Sequence, residues 1–126
     1  MTEAEVQNWL DRYVEAWRTH DPDLIGALWT EDATYKYHPG DEPVVGRDAI
    51  VANWVKYQDQ PLNKNPWTAQ YRPWVIDGDR AIAIGETHYE GAEDYHNSFQ
   101  LTFRDGACAA FVEWYMEPRK PGDTDT

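Results

Sequence analysis

Apolar residues near the start of the chain recur at helical spacing. Val6, Trp9, Leu10, Tyr13, Val14 and Trp17 form one stripe, the pattern of an amphipathic helix with a single face toward a core. Thr2 and Glu5 stand where a capping box would satisfy the free N–H groups of its first turn. Asp21-Pro22 predicts a fresh start, with Asp21 as N-cap and Pro22 at the first helical position. The short helix that follows carries Leu24, Ile25, Leu28 and Trp29. Residues 33–37 read as a strand ended by His38-Pro39-Gly40, and residues 46–57 as a third helix with Ile50, Val51, Trp54 and Val55 on one side. Beyond a polar loop at 61–66 the period changes to strict alternation. It predicts four strands at 67–76, 80–90, 95–104 and 107–117. Asp77-Gly78-Asp79 and Asp105-Gly106 supply turn residues that tolerate positive φ, so the strands pair as antiparallel hairpins.

Helices followed by a meander of long strands predict an α+β fold. The N-terminal helices pack on one face of a curved, mainly antiparallel sheet, giving a cone that encloses a pocket. With 126 residues the chain is one domain, expected over 1–117. The tail at 118–126 holds Pro, Gly and charge without apolar residues and is expected to be disordered.

Composition narrows the function classes. Eleven Lys and Arg against 23 Asp and Glu leave a net charge of -12, a field that repels nucleic-acid phosphates and anionic lipid. The expected partners therefore include neither nucleic acid nor membrane. No apolar run approaches the ~20 residues of a membrane span, and no signal peptide is recognisable after Met1, so a cytoplasmic location is expected. The single cysteine, Cys108, excludes an internal disulfide and a Cys-rich zinc site. No phosphate loop or nucleophile elbow is present, and no cofactor is expected. The 7 Trp and 8 Tyr are unusual for this length. Such rings fill cores, and they also line cavities where a polar tip meets a ligand.

Several stretches carry a family likeness. Arg12-Tyr13-Val14, Asp21-Pro22-Asp23, the run from Ala27 to Thr34, Glu42-Pro43, Gly46, Phe103-Arg104-Asp105-Gly106 and Glu113-Trp114-Tyr115 stand in one order over nearly the whole chain. In these the chain resembles the nuclear transport factor 2-like superfamily, with its SnoaL-like polyketide cyclases and ketosteroid isomerases. The resemblance implies a cone-shaped fold, an apolar small-molecule ligand and a homodimer formed through the outer sheet face, where Phe111, Glu113 and Tyr115 share a strand phase. It implies that Tyr13 holds the position of the oxyanion-donating tyrosine of the isomerases. Tyr37 falls where they carry the aspartate base, and Phe99 or Gln100 where they carry a protonated aspartic acid. A phenol is a poor base at neutral pH, so ordinary ketosteroid isomerase chemistry is not expected. The Asp-Arg-Asp set of limonene epoxide hydrolase is not evident either.

The catalytic candidates come from strand phase. In residues 80–90, alternation sets Ile82, Ile84, Glu86, His88 and Glu90 on one face. If the isoleucines look inward, Glu86 and His88 project into the pocket as a carboxylate–imidazole pair suited to acid/base work near neutral pH. Otherwise Glu86 marks where the strand leaves the core, and His88 sits at a solvated edge. Tyr13 and Tyr37 are the expected hydrogen-bond donors. Trp17, Tyr35, Trp54, Phe99 and Trp114 are the expected substrate-binding residues. His88, Glu90, Asp94 and His96 do not converge by phase, so no metal site is expected. The expected function is acid/base catalysis (cyclisation, isomerisation or dehydration) on an apolar oxygenated molecule such as a polyketide, steroid or terpenoid. The alternative is a non-catalytic ligand-binding or dimerising module of the same fold.

Overall fold

The computed structural model describes residues 1–59 and 66–119. Most of the loop at 61–66 and of the tail from 118 lies outside the described residues. Helix α1 spans Glu3–Thr19 and begins with the expected capping box. The Glu5 N–H donates to Thr2 Oγ1 at 3.1 Å, and the Thr2 N–H to Glu5 Oε1 at 2.9 Å. Its stripe buries Val6, Trp9, Leu10, Tyr13 and Ala16. His20 closes the helix in the left-handed region at φ 54, its N–H reaching the Ala16 carbonyl. Asp21 then caps α2 (Pro22–Gly26) by accepting from the Asp23 N–H at 2.8 Å.

Trp29, expected on that helix, instead opens strand β1 (Trp29–Lys36). The Leu28 carbonyl accepts both Trp9 Nε1–H at 3.0 Å and the Cys108 N–H at 2.9 Å. Those two bonds draw the chain out of the helix and into the sheet, where Trp29 lies opposite Cys108. A short strand β2 (Val44–Val45) and helix α3 (Arg47–Lys56) follow, then a 3-10 turn at Tyr57–Asp59. Strands β3 (Trp67–Asp77), β4 (Arg80–Tyr89), β5 (Asp94–Arg104) and β6 (Ala107–Met116) complete one six-stranded sheet. Its order is β2-β1-β6-β5-β4-β3. Every neighbour is antiparallel except β1 with β6, which run parallel. The fold is thus α+β with a mixed, open sheet, and the helices cover its concave side. The β5–β6 turn has Asp105 at φ 53 and Gly106 at φ 82, the positive values that such a tight hairpin requires.

Two local features decide which side chains face the helices. In β4 the buried residues are Ala81, Ala83, Gly85, Thr87 and Tyr89. At Gly85 the strip is narrow because the paired strand β3 crowds it. Even one carbon added there would lie 2.0 Å from the Gln70 carbonyl oxygen and 2.8 Å from Tyr71 Cα. In β6, the register slips between Phe103, opposite Cys108, and Thr102, opposite Ala110. Ala109 is therefore the extra residue of a β-bulge, which reverses the phase of everything after it. Downstream of it Phe111 and Glu113 share the inner face with Leu101 and Phe99, their cross-strand partners.

The core is built largely of rings. Trp9 is fully buried and meets Tyr13, Trp29, Phe103 and Phe111 with ring centroids 5.6–6.3 Å apart. Among the described residues no helix is long and apolar enough to cross a membrane.

Candidate active site

Among the described residues, the carboxyl group that faces the interior belongs to Glu113. The β6 bulge turns it inward, where it is half-buried. Asn97 on β5 is 8% exposed, and its Nδ2 donates to Glu113 Oε2 at 2.9 Å. Asn97 Oδ1 accepts from Thr87 Oγ1 on β4 at 2.9 Å, and the Thr87 hydroxyl also meets the Tyr71 hydroxyl of β3 at 2.5 Å. One polar side chain from each of four adjacent strands thus forms a row across the sheet. Burial pushes the Glu113 carboxyl from 4.5 up to about 7, and the Asn97 hydrogen bond acts in the opposite direction. A carboxyl poised there can both take and return a proton near neutral pH.

Tyrosines surround it. Tyr13, Tyr35, Tyr37, Tyr71 and Tyr89 are each raised above the ordinary phenol value, first by burial and then by the charge on Glu113 or on another phenol. For Tyr89 the value is about 12. All five stay protonated at neutral pH and are hydrogen-bond donors, not bases. The Tyr37 hydroxyl donates to Asn53 Oδ1 of α3 at 2.6 Å. Tyr35 stacks on Phe111 with centroids 4.6 Å apart and planes 3° from parallel. The inward positions of the described strands hold no Lys, Arg or His.

Of the expected site residues, Tyr13, Tyr35, Trp54 and Phe99 lie in the buried core, and Tyr37 and Trp17 are half-buried against it. Glu86 and His88 are not brought to this interior. Their phase is outward and both are exposed, because the small residues of β4, not its isoleucines, face the helices. His88 Nδ1 pairs instead with the Asp94 carboxylate on the outer surface. Trp114 is 49% exposed on the outer face, since the Ala109 bulge exchanges its phase with that of Glu113. The same exchange removes Phe111 and Glu113 from the outer face and leaves Tyr115 half-exposed. Glu113 is absent from the expected site residues for this reason. One signal for it was available in the sequence: antiparallel partners share a face, and Phe99 alternates with Leu101 and Phe103 as the apolar set of β5. Cys108 is buried, with its thiol pushed up to about 12 by burial. Among the described residues no three His, Cys, Asp or Glu side chains converge as a metal site would require.

No curated protein matches the chain in sequence. An NTF-2 like protein of unknown function from Burkholderia xenovorans superposes with a TM-score of 0.71 at 20% identity, over 95% of this chain and 90% of that one. A candidate ketosteroid isomerase from Kribbella flavida gives 0.70 at 19% identity, over 97% and 85%. A candidate polyketide cyclase from Sinorhizobium meliloti gives 0.66 at 18% identity, over 90% and 100%. At these identities the likeness is one of fold. The SnoaL-like domain family matches residues 10–114, and the chain belongs to that family, within the NTF2-like fold.

Proposed function

We propose that the chain is an acid/base enzyme of the isomerase, cyclase or dehydratase type, with Glu113 moving the proton. The observation that carries this reading is the inward, half-buried Glu113 carboxyl among protonated tyrosines. In its charged form Glu113 takes a proton from a carbon or hydroxyl of the substrate, and in its neutral form it returns one. The Tyr13 and Tyr35 hydroxyls are the donors available to a carbonyl oxygen as negative charge develops on it, the Tyr37 proton being held by Asn53 Oδ1. The ligand is apolar and oxygenated, of the polyketide, steroid or terpenoid kind. A buried carboxylate with no inward-facing cation beside it also disfavours substrates that carry a carboxylate or phosphate of their own.

The test pairs ligand binding with turnover. A thermal-shift panel is expected to single out a neutral ketone or polyketide and to pass over the same skeleton bearing a carboxylate. On the ligand so found, kcat/KM is expected to fall tenfold per pH unit below an apparent pKa near 7. A flat profile between pH 5 and 8 would remove Glu113 from the role of base.

The outer face of the sheet supports a homodimer. Ile82, Ile84, Gln100, Thr102, Ala110 and Val112 form an uncharged strip there, with Arg80 and Arg104 toward one end and Glu86 and Asp94 toward the other. Two copies related by a two-fold axis across the strands bring opposite charges together. Val112→Asp is expected to sediment as a monomer where the parent chain is a dimer. A monomeric parent at micromolar concentration would refute the pairing.

A further inference from the structure

The polar row through Tyr71, Thr87, Asn97 and Glu113 has a direction, and the direction is set from its carboxylate end. An ionised carboxylate only accepts hydrogen bonds. Asn97 therefore turns its NH2 toward Glu113 and its Oδ1 toward Thr87, as the 2.9 Å contacts on either side require. The Thr87 proton is committed to Asn97, so at the 2.5 Å contact the Tyr71 phenol must donate. Burial holds that phenol well above its ordinary pKa, so it has a proton to give. Every donor in the row points toward Glu113. The row is also secluded, with Thr87 5% and Asn97 8% exposed.

An amide in the third place means that the row does not conduct. To pass a proton, Asn97 would have to gain one at Oδ1 and lose one at Nδ2 through an imidic acid form. Protons on Glu113 therefore exchange directly with the ligand or with the solvent that reaches the half-buried carboxyl, and the row is a fixed dipole chain. It also engages only one carboxyl oxygen. Among the described residues Asn97 is the hydrogen-bond partner of Glu113, through Oε2, which leaves Oε1 for a ligand.

We infer that Tyr71, Thr87 and Asn97 are positioning residues that pin one oxygen of Glu113, present the other to the substrate and favour the charged form of the carboxyl. This rests on the acid/base reading of Glu113. The groups that face the carboxyl from the packed elements are all neutral or phenolic. Tyr13 comes from α1, Tyr35 from β1, Tyr37 from the bend just after it, Tyr71 from β3 and Tyr89 from β4, while Asn53 and Trp54 of α3 pack against Tyr37 and Tyr13. No described cation shares the task, so the row is the described counterweight to burial.

The test reads Glu113 directly, by carbon-13 NMR titration of the labelled full chain, and needs no substrate. Thr87→Val keeps the side-chain volume and breaks the row. It is expected to raise the Glu113 pKa by about half a unit to one unit, the equivalent of one hydrogen bond. Tyr71→Phe removes only the terminal hydroxyl and is expected to move it the same way by less. Thr87→Ser restores the donor and is expected to return the parent value. In turnover, Thr87→Val is expected to shift the acid limb of kcat/KM upward by the same amount, with KM within about twofold of the parent at pH 8. Unchanged titration in folded Thr87→Val and Tyr71→Phe would overturn the row as a control on Glu113. A shifted titration alongside full turnover in Glu113→Gln would overturn the acid/base reading beneath it, and the catalytic role of the row with it.

Discussion

Glu113→Gln is expected to lose turnover by about 10²–10⁴-fold, the usual contribution of a positioned acid/base group, and at pH 8 to become more stable. The second half follows from linkage. In the folded chain the carboxyl titrates near 7 instead of 4.5, so between those values the native state binds more protons than the unfolded one. Stability therefore falls as pH rises from about 4.5 through 7 and levels off above. At pH 8 the parent carries the full cost of a charged, half-buried carboxylate. A shift of this size corresponds to at most about 3 kcal/mol, and about 2 kcal/mol after allowing for the water that reaches a half-buried group. Glutamine keeps the carbonyl that accepts from Asn97 Nδ2 and carries no charge. The midpoint of thermal unfolding at pH 8 is expected to rise by roughly 8 °C, with the difference vanishing near pH 4.5. A variant less stable than the parent at pH 8 would mean that Glu113 is held by interactions favouring its charge, contrary to the assignment.

Trp9→Ala is expected to cost about 4 kcal/mol, the range for removing a large aromatic from a packed core. Trp9 is 0% exposed and touches four other rings. Its N–H is one of two donors to the Leu28 carbonyl. The Cys108 N–H remains after truncation, so the loss is one of packing and not of an orphaned acceptor. Against a total stability of about 5–15 kcal/mol the loss is large enough to move the urea midpoint substantially. Trp74 is the control. It is 69% exposed at an irregularity of β3, and Trp74→Ala is expected to change stability by less than about 0.5 kcal/mol. Comparable losses in both variants would contradict the ring-built core described above.

The α+β architecture could be read from residue pattern because it depends on local signals. The Thr2–Glu5 box, the Asp21-Pro22 start and the Asp105-Gly106 turn each act within a few residues, and each stands where expected. The phase of the strands was harder, because it is decided across the sheet. In β4 the larger apolar side chains, Ile82 and Ile84, lie outside, while Ala83 and Gly85 make room for Phe99 and Tyr71. Side-chain size along one strand does not reveal what stands above it. In β6 one unpaired residue overrode the alternation. The burial of Tyr13, Trp17 and Trp54 against the core could be read from the helix stripes that carry them. The acid/base candidate was missed because its orientation depends on the Ala109 irregularity, which periodicity alone does not signal.

That irregularity separates the identity of the interior from the composition of the strand. If Ala109 were paired in the ladder instead of bulged, β6 would run in strict alternation from Cys108, turning Glu113 and Phe111 to the outside and offering Val112 and Trp114 to the helices instead. The same ten-residue segment thus encodes two alternative linings, one acidic and one wholly apolar, and the bulge selects between them. Which face the carboxyl occupies is therefore a property of strand register and not of side-chain identity.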